Sequence, residues 1–225
     1  MTISALLRQT LAQALAPQWR PLALATFLLL GVTNAVMALH EPAPGEQPDI
    51  AFSIAGAIRA IGVVSLGVAF LRVGAGSRRR TWAFDAGFFL YFAISLAEFA
   101  VTFVAVLLVR DLAEGWQALV RHIAAFLLLA PLAPWMVAAA VERPLAWRPA
   151  PWFRYIGDWL PAFLVLSIPL ALIATAHALL TLRLLELPEG PLFWRIALLD
   201  AAVTTAMVLL TLALRLAAYR DVARG

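Results

Sequence analysis

The sequence predicts an all-α polytopic membrane protein, a bundle of six transmembrane helices with an N-terminal interfacial amphipathic helix, and three observations carry that prediction. Hydrophobic residues make up 64% of the 225 and charged ones only 13%, a balance that soluble globular domains do not keep. The apolar residues fall into six runs, each long enough to cross about 30 Å of hydrocarbon. The arginines concentrate on alternate connections between those runs, as the positive-inside rule requires of a multi-pass chain.

Residues 2–15 set Ile3, Leu6, Leu7, Leu11 and Leu15 at helical spacing, with Arg8, Gln9 and Gln13 elsewhere on the wheel. That is the pattern of a helix lying on a membrane leaflet. The first span, 21–39, exceeds the apolar core of a signal peptide and no small-x-small cleavage site follows, so it is expected to be retained. After the acidic, proline-containing loop His40 to Asp49 comes the second span, 50–71, with Gly56, Ala60, Gly62, Ser65, Gly67 and Ala69. Small residues let backbones approach closely, which predicts a central position for this helix; Gly31 and Ala35 offer the same in the first span.

The link that follows contains VGAGSRRR, which lacks a Walker lysine and lies between membrane spans. It reads as a flexible turn near anionic headgroups. The third span covers 86–109, the fourth 123–141 and the fifth 159–182; Pro131 and Pro134 predict a bend in the fourth, Pro161 and Pro169 in the fifth. Between them, Arg143 to Tyr155 mixes Trp147, Trp152 and Phe153 with arginines and prolines, the composition of an anchor at headgroup depth. The sixth span is 196–214, and Arg215, Arg220 and Arg224 follow it.

These positions set the orientation. Arg8, Arg20, Arg72, the Arg78 to Arg80 run, the arginines of 143–154 and those of the C-terminal tail fall on one side, against Arg110, Arg121, Arg183 and Arg195 on the other. Both termini are therefore expected in the cytoplasm of a bacterial inner membrane. All 17 basic residues are arginine, and topology accounts for the formal charge of +4, so no nucleic-acid partner is expected. The absence of cysteine excludes disulfides, thiolate metal sites and a cysteine nucleophile. No nucleophile elbow, zinc-protease helix or phosphate-binding glycine loop is present, and the connections are too short to hold a catalytic domain. His40, His122 and His177 follow no ligand spacing, so neither metal nor cofactor is expected.

What remains is a small set of polar residues inside the apolar runs: Arg59, Glu98, Asp200, His177 and Asn34. A guanidinium in lipid costs roughly 2.5 to 3.5 kcal/mol on insertion scales, so Arg59 needs a partner. At about 1.5 Å per residue, Arg59 lies about 13 Å from the outer boundary, Glu98 about 18 Å, Asn34 and His177 about 9 Å and Asp200 about 7 Å. Glu98 is the expected partner, because a short link makes the second and third helices antiparallel neighbours. Asp200 competes for Arg59, with Arg195 and His177 as its own alternatives. The set reads either as an ion-coupled transport site, since intramembrane carboxylates and histidines are common relay groups, or as a structural pair that fixes helix register. Access from one face would mark transport; closure would mark the pair.

The layout resembles a known domain. The N-terminal ISALLRQTLAQALAPQWRPLALA, the exit LAPLAPWMVAAAVERP of the fourth helix and the terminal LALRLAAYRDV look like the six-helix bacterial inner-membrane domain of the YciC-like proteins. The same domain precedes some glycerophosphodiester phosphodiesterase domains. The resemblance implies a stand-alone, non-catalytic inner-membrane protein. The expected role is that of an accessory, scaffold or envelope-homeostasis protein, in contact with membrane lipids and a membrane-protein partner. A small secondary transporter or channel built on the Arg59, Glu98 and Asp200 set is the alternative.

Overall fold

A computed structural model of the chain describes residues 3–43, 45–109, 116–117, 119–120, 132–142 and 168–224, and it is 83% helical with no strand among those residues. Helix α1 is Ile3–Ala14, and a 3₁₀ turn, Pro17–Trp19, leads into α2, Arg20–Leu39. Then follow α3, Ile50–Gly74, and α4, Ala86–Leu108, both longer than the mean globular helix. The remaining helices are α5, Ala133–Val141, α6, Ile168–Leu185, and α7, Pro191–Arg224. Among the described residues, four helices are long and apolar enough to cross a membrane: Pro17–Leu39, Ile50–Gly74, Ile168–Leu185 and Pro191–Ala223. The first parts of the expected fourth and fifth spans, His122 and the stretch 143–155 lie outside the described residues.

Among the described residues, two apolar cores hold the bundle, one toward each end. The larger joins Trp19 of the 3₁₀ turn, Phe70 and Leu71 of α3, Phe88 of α4, Met136 and Val137 of α5 and Leu216 of α7. The smaller joins Ala35 of α2, Leu184 of α6 and Phe193 and Ala197 of α7. The larger core marks the end that also carries the Arg78 to Arg80 link, both terminal helices' chain ends and most of the arginines. Leu24, Leu28, Val32, Ile54, Ile58 and Phe99 are exposed, as side chains facing acyl chains would be.

Close backbone approach puts α3 among α2, α4, α5 and α7, the central position its small residues predict. A Cβ on Gly62 would stand 2.5 Å from Leu29 of α2, and one on Gly74 would stand 2.4 Å from Leu216 of α7 and 2.9 Å from the Trp19 ring. Gly76, at φ +60°, ends α3 in a Schellman motif: Ser77 N–H donates to Arg72 O at 2.9 Å and Gly76 N–H to Val73 O at 3.2 Å. VGAGSRRR is therefore a built helix stop, where the sequence reads as a loose turn.

α1 divides its apolar residues. Leu6 is fully buried together with Thr10 against the bundle, where α1 packs on α7, while Leu7, Leu11 and Leu15 stay exposed. Pro134 stands in the first turn of α5, where the missing N–H has no intrahelical partner to lose.

Arg72 locks the corner between α3, α4 and α5. It is 1% exposed, and its guanidinium donates to Ala140 O at 2.9 Å, Arg80 O at 3.0 Å, Ala83 O at 2.8 Å and the Asp85 carboxylate. Asp85 also caps α4, accepting from Phe88 N–H at 3.1 Å. Burial alone would raise the Asp85 carboxyl, but these two hydrogen bonds outweigh it and hold the group below the usual carboxylate range. Glu142 completes the corner from a left-handed conformation, φ 50°, accepting from Gly87 N–H at 2.9 Å and pairing with Arg79. The sequence places Arg72 just beyond a span ending at residue 71; the helix in fact continues through Gly74 and buries it.

Candidate functional site

Among the described residues, two polar centres are strung along α7, apart from the Arg72 corner. Asp200, Thr204, Thr211 and Arg215 of that helix fall within an arc of about 60° at 100° per residue, and their Cα positions span about 22 Å. They make one polar stripe.

The first centre surrounds Asp200, which has no exposed surface. Asn34 Nδ2 of α2 donates to Asp200 Oδ2 at 2.6 Å, and His177 Nδ1 of α6 meets Asp200 Oδ1 at 2.5 Å. Thr204 Oγ1 donates to Asp200 O at 2.8 Å and lies 2.9 Å from the same His177 nitrogen. Three helices thus converge on one carboxylate. Asn34 Oδ1 is buried with no hydrogen-bond partner among the described residues.

Arg59 of α3, partly buried, forms neither a hydrogen bond nor an ion pair among the described residues. It shares a face of α3 with Val63 and Gly67 by four-residue spacing. Those two residues line the second centre.

That second centre pairs Arg215 with Glu98. Arg215 is 8% exposed; its Nη2 donates to Glu98 Oε1 at 2.7 Å and its Nη1 to the Tyr91 hydroxyl at 3.4 Å. A half-enclosed cavity of about 260 Å³ adjoins the pair between α3, α4 and α7, with Ser95 and Thr211 also in its wall. The rest of the lining is apolar, from Val63 and Val64 to Met207, Val208 and Leu212.

The structure brings Asn34, His177 and Asp200 together and leaves Glu98 apart from them. The expected Arg59–Glu98 pair is not formed, because Glu98 is taken by Arg215, a residue the sequence assigns to the tail outside the last span. The reason lies in side-chain direction: Cα–Cβ bonds lean toward a helix's N-terminus. α4 and α7 run antiparallel, so Glu98 leans toward the arginine-rich end while Arg215 leans away from it. Depths measured at Cα miss such a meeting. Asp200 likewise takes His177 and Asn34, while Arg195 and Arg59 form no ion pair with it.

His40 pairs with Asp49 at 2.7 Å, and Asp49 Oδ1 accepts from Phe52 N–H at 2.7 Å, so the loop between α2 and α3 is closed at its base. The Phe52 hydrogen bond is the main cause holding the Asp49 carboxyl below its ordinary value. Among the described residues no three His, Asp or Glu side chains gather as a metal site would need. No family model, curated protein or solved structure matches this chain.

Proposed function

We propose that this chain is a non-enzymatic six-helix protein of the bacterial inner membrane, both termini cytoplasmic and α1 on the inner leaflet, serving as an accessory or scaffold subunit for another membrane protein. The observation that carries this reading is a groove of about 500 Å³ between α4 and α5, lined by Ala86, Gly87, Leu90, Ile94, Trp135, Ala138, Ala139 and Glu142. Glycine and alanine side chains let a further helix backbone come close, which is how helices associate in lipid. The occupant we assign to it is a transmembrane helix of the partner. The burial of Asp200 supports the same reading, since a carboxylate bonded from α2 and α6 fixes the register of three helices. The resemblance of the sequence layout to the YciC-like domain is in keeping with this reading.

A second reading, a small proton-coupled transporter, rests on the cavity beside Glu98 and Arg215. Arg59 stands one helical turn beyond its Val63 wall, and Asp200 and His177 follow.

One experiment separates the two. A photoreactive residue replaces Leu90, whose side chain is 54% exposed in the groove, and is activated in living cells. A discrete crosslink to one membrane protein is the expected result. Lipid adducts alone, with proton flux in proteoliposomes that Glu98→Gln abolishes, would replace the scaffold by the transporter.

A further inference from the structure

A second cavity, of about 270 Å³, lies beneath α1 at the arginine-rich end, walled by Gln9, Gln13 and Gln18, by Trp19 and Gly74, and by Arg220 near the end of α7. Its chemistry is unusual for a gap between helices. Trp19 is 2% exposed, yet its indole Nε1–H has no hydrogen-bond partner among the described residues. Both polar atoms of the Gln13 amide are buried and equally unpartnered. Buried polar groups left unpaired are costly, so the fold carries an uncompensated burden at this place.

The unpaired groups share a character. Trp19 offers only a donor, the Gln13 nitrogen offers two more, and the Arg220 guanidinium, which donates to Gly74 O, brings a positive charge to the wall. Three sources of N–H around a cation suit a phosphate oxygen. The remaining acceptor, Gln13 Oε1, suits a hydroxyl or ammonium hydrogen on the same ligand. Depth supplies the source. Trp19 sits at the start of the membrane-crossing segment Pro17–Leu39, the level at which tryptophan marks the boundary between acyl chains and headgroups.

We propose that this cavity binds the headgroup of an anionic phospholipid, a phosphodiester carrying a hydroxyl-bearing substituent, with Trp19 Nε1, Gln13 Nε2 and Arg220 on the phosphate and Gln13 Oε1 on the hydroxyl. α1 then forms the roof of a lipid site as well as a surface anchor. The proposal rests on different residues from the scaffold reading and stands or falls separately.

The test uses full-length protein in detergent and native mass spectrometry with phosphatidylglycerol or phosphatidylcholine, and with inorganic phosphate and glycerol phosphate as soluble competitors. Wild type is expected to retain phosphatidylglycerol preferentially. Trp19→Phe keeps the ring against Phe70 and removes the N–H; Gln13→Leu keeps the volume and removes the amide. Each is expected to weaken phosphatidylglycerol binding by about tenfold, the value of one charge-assisted hydrogen bond, and Gln13→Leu is expected to do so without lowering thermal stability in lipid-free detergent. Equal retention of both lipids, unchanged binding by both variants, or full displacement by soluble phosphate would each overturn it. Should Trp19→Phe fail to fold, Gln13→Leu and the wild-type lipid preference decide alone.

Discussion

Arg72 commits its guanidinium to three backbone carbonyls and one carboxylate while almost entirely buried. Removing it strands Asp85 and all three carbonyls, so Arg72→Ala is expected to lower stability by about 3 kcal/mol or more, read from thermal unfolding in detergent. Arg72→Lys is expected to recover little, because an ammonium cannot reproduce the planar fork. The pH dependence follows from Asp85, whose pKa is depressed. Its contribution is fully present above the ordinary carboxylate value of about 4 and is lost as pH falls through the depressed one. The difference in melting temperature between wild type and Asp85→Asn is therefore expected to stay constant above about pH 5 and to shrink below about 4. A gap that persists unchanged into strong acid would disprove the linkage. Arg72 and Arg215 share the reason they escape sequence reading: each stands one residue past an apolar run, where topology already explains an arginine. Asn34, His177 and Asp200 were legible because a polar group well inside such a run has no such explanation, whereas which of them would meet depended on side-chain direction.

At the scale of elements, the helices were legible from apolar runs and their joints were not. α7 is 34 residues long, far more than a bilayer needs, and its last turns bury Leu216, Ala217 and Ala218 against the bundle. A count of apolar residues stops at Arg215 because the charge interrupts the run, although LALRLAAYRDV keeps its apolar spacing across it. The α4–α5 joint depends on Gly87, where a Cβ would stand 2.6 Å from Ala139 O and 2.6 Å from Glu142 Cγ. Backbone cannot yield as a flexible side chain does, so Gly87→Ala is expected to cost about 1 to 3 kcal/mol. Unlike a general loss of packing, it is expected to free the Arg79–Glu142 pair first, seen as faster proteolysis in the Arg78 to Arg80 link than elsewhere. Uniform proteolysis would refute the joint's dependence on that glycine. Nothing in the sequence marks Gly87 apart from its neighbours, since its requirement comes from a helix some 50 residues away.

For the whole molecule, the chain ends, the Arg78 to Arg80 link and the larger core share one end, and the His40 to Asp49 loop lies at the other. The proposed orientation is open to test because the chain has no native cysteine. A single cysteine replacing exposed Glu46 is expected to react with an impermeant thiol reagent in intact cells, and one replacing exposed Arg78 only after permeabilisation; the reverse pattern would invert the topology. The composition was enough to foresee a membrane bundle, while its pairings joined residues far apart in the chain and left no local trace. That separation bears on biogenesis. Asn34 is translated 166 residues before Asp200, and Glu98 is translated 117 before Arg215. Until the last helix has been made, the Asn34 amide and the Glu98 carboxylate lack the partners that the finished protein gives them, so α7 is the element that completes both centres.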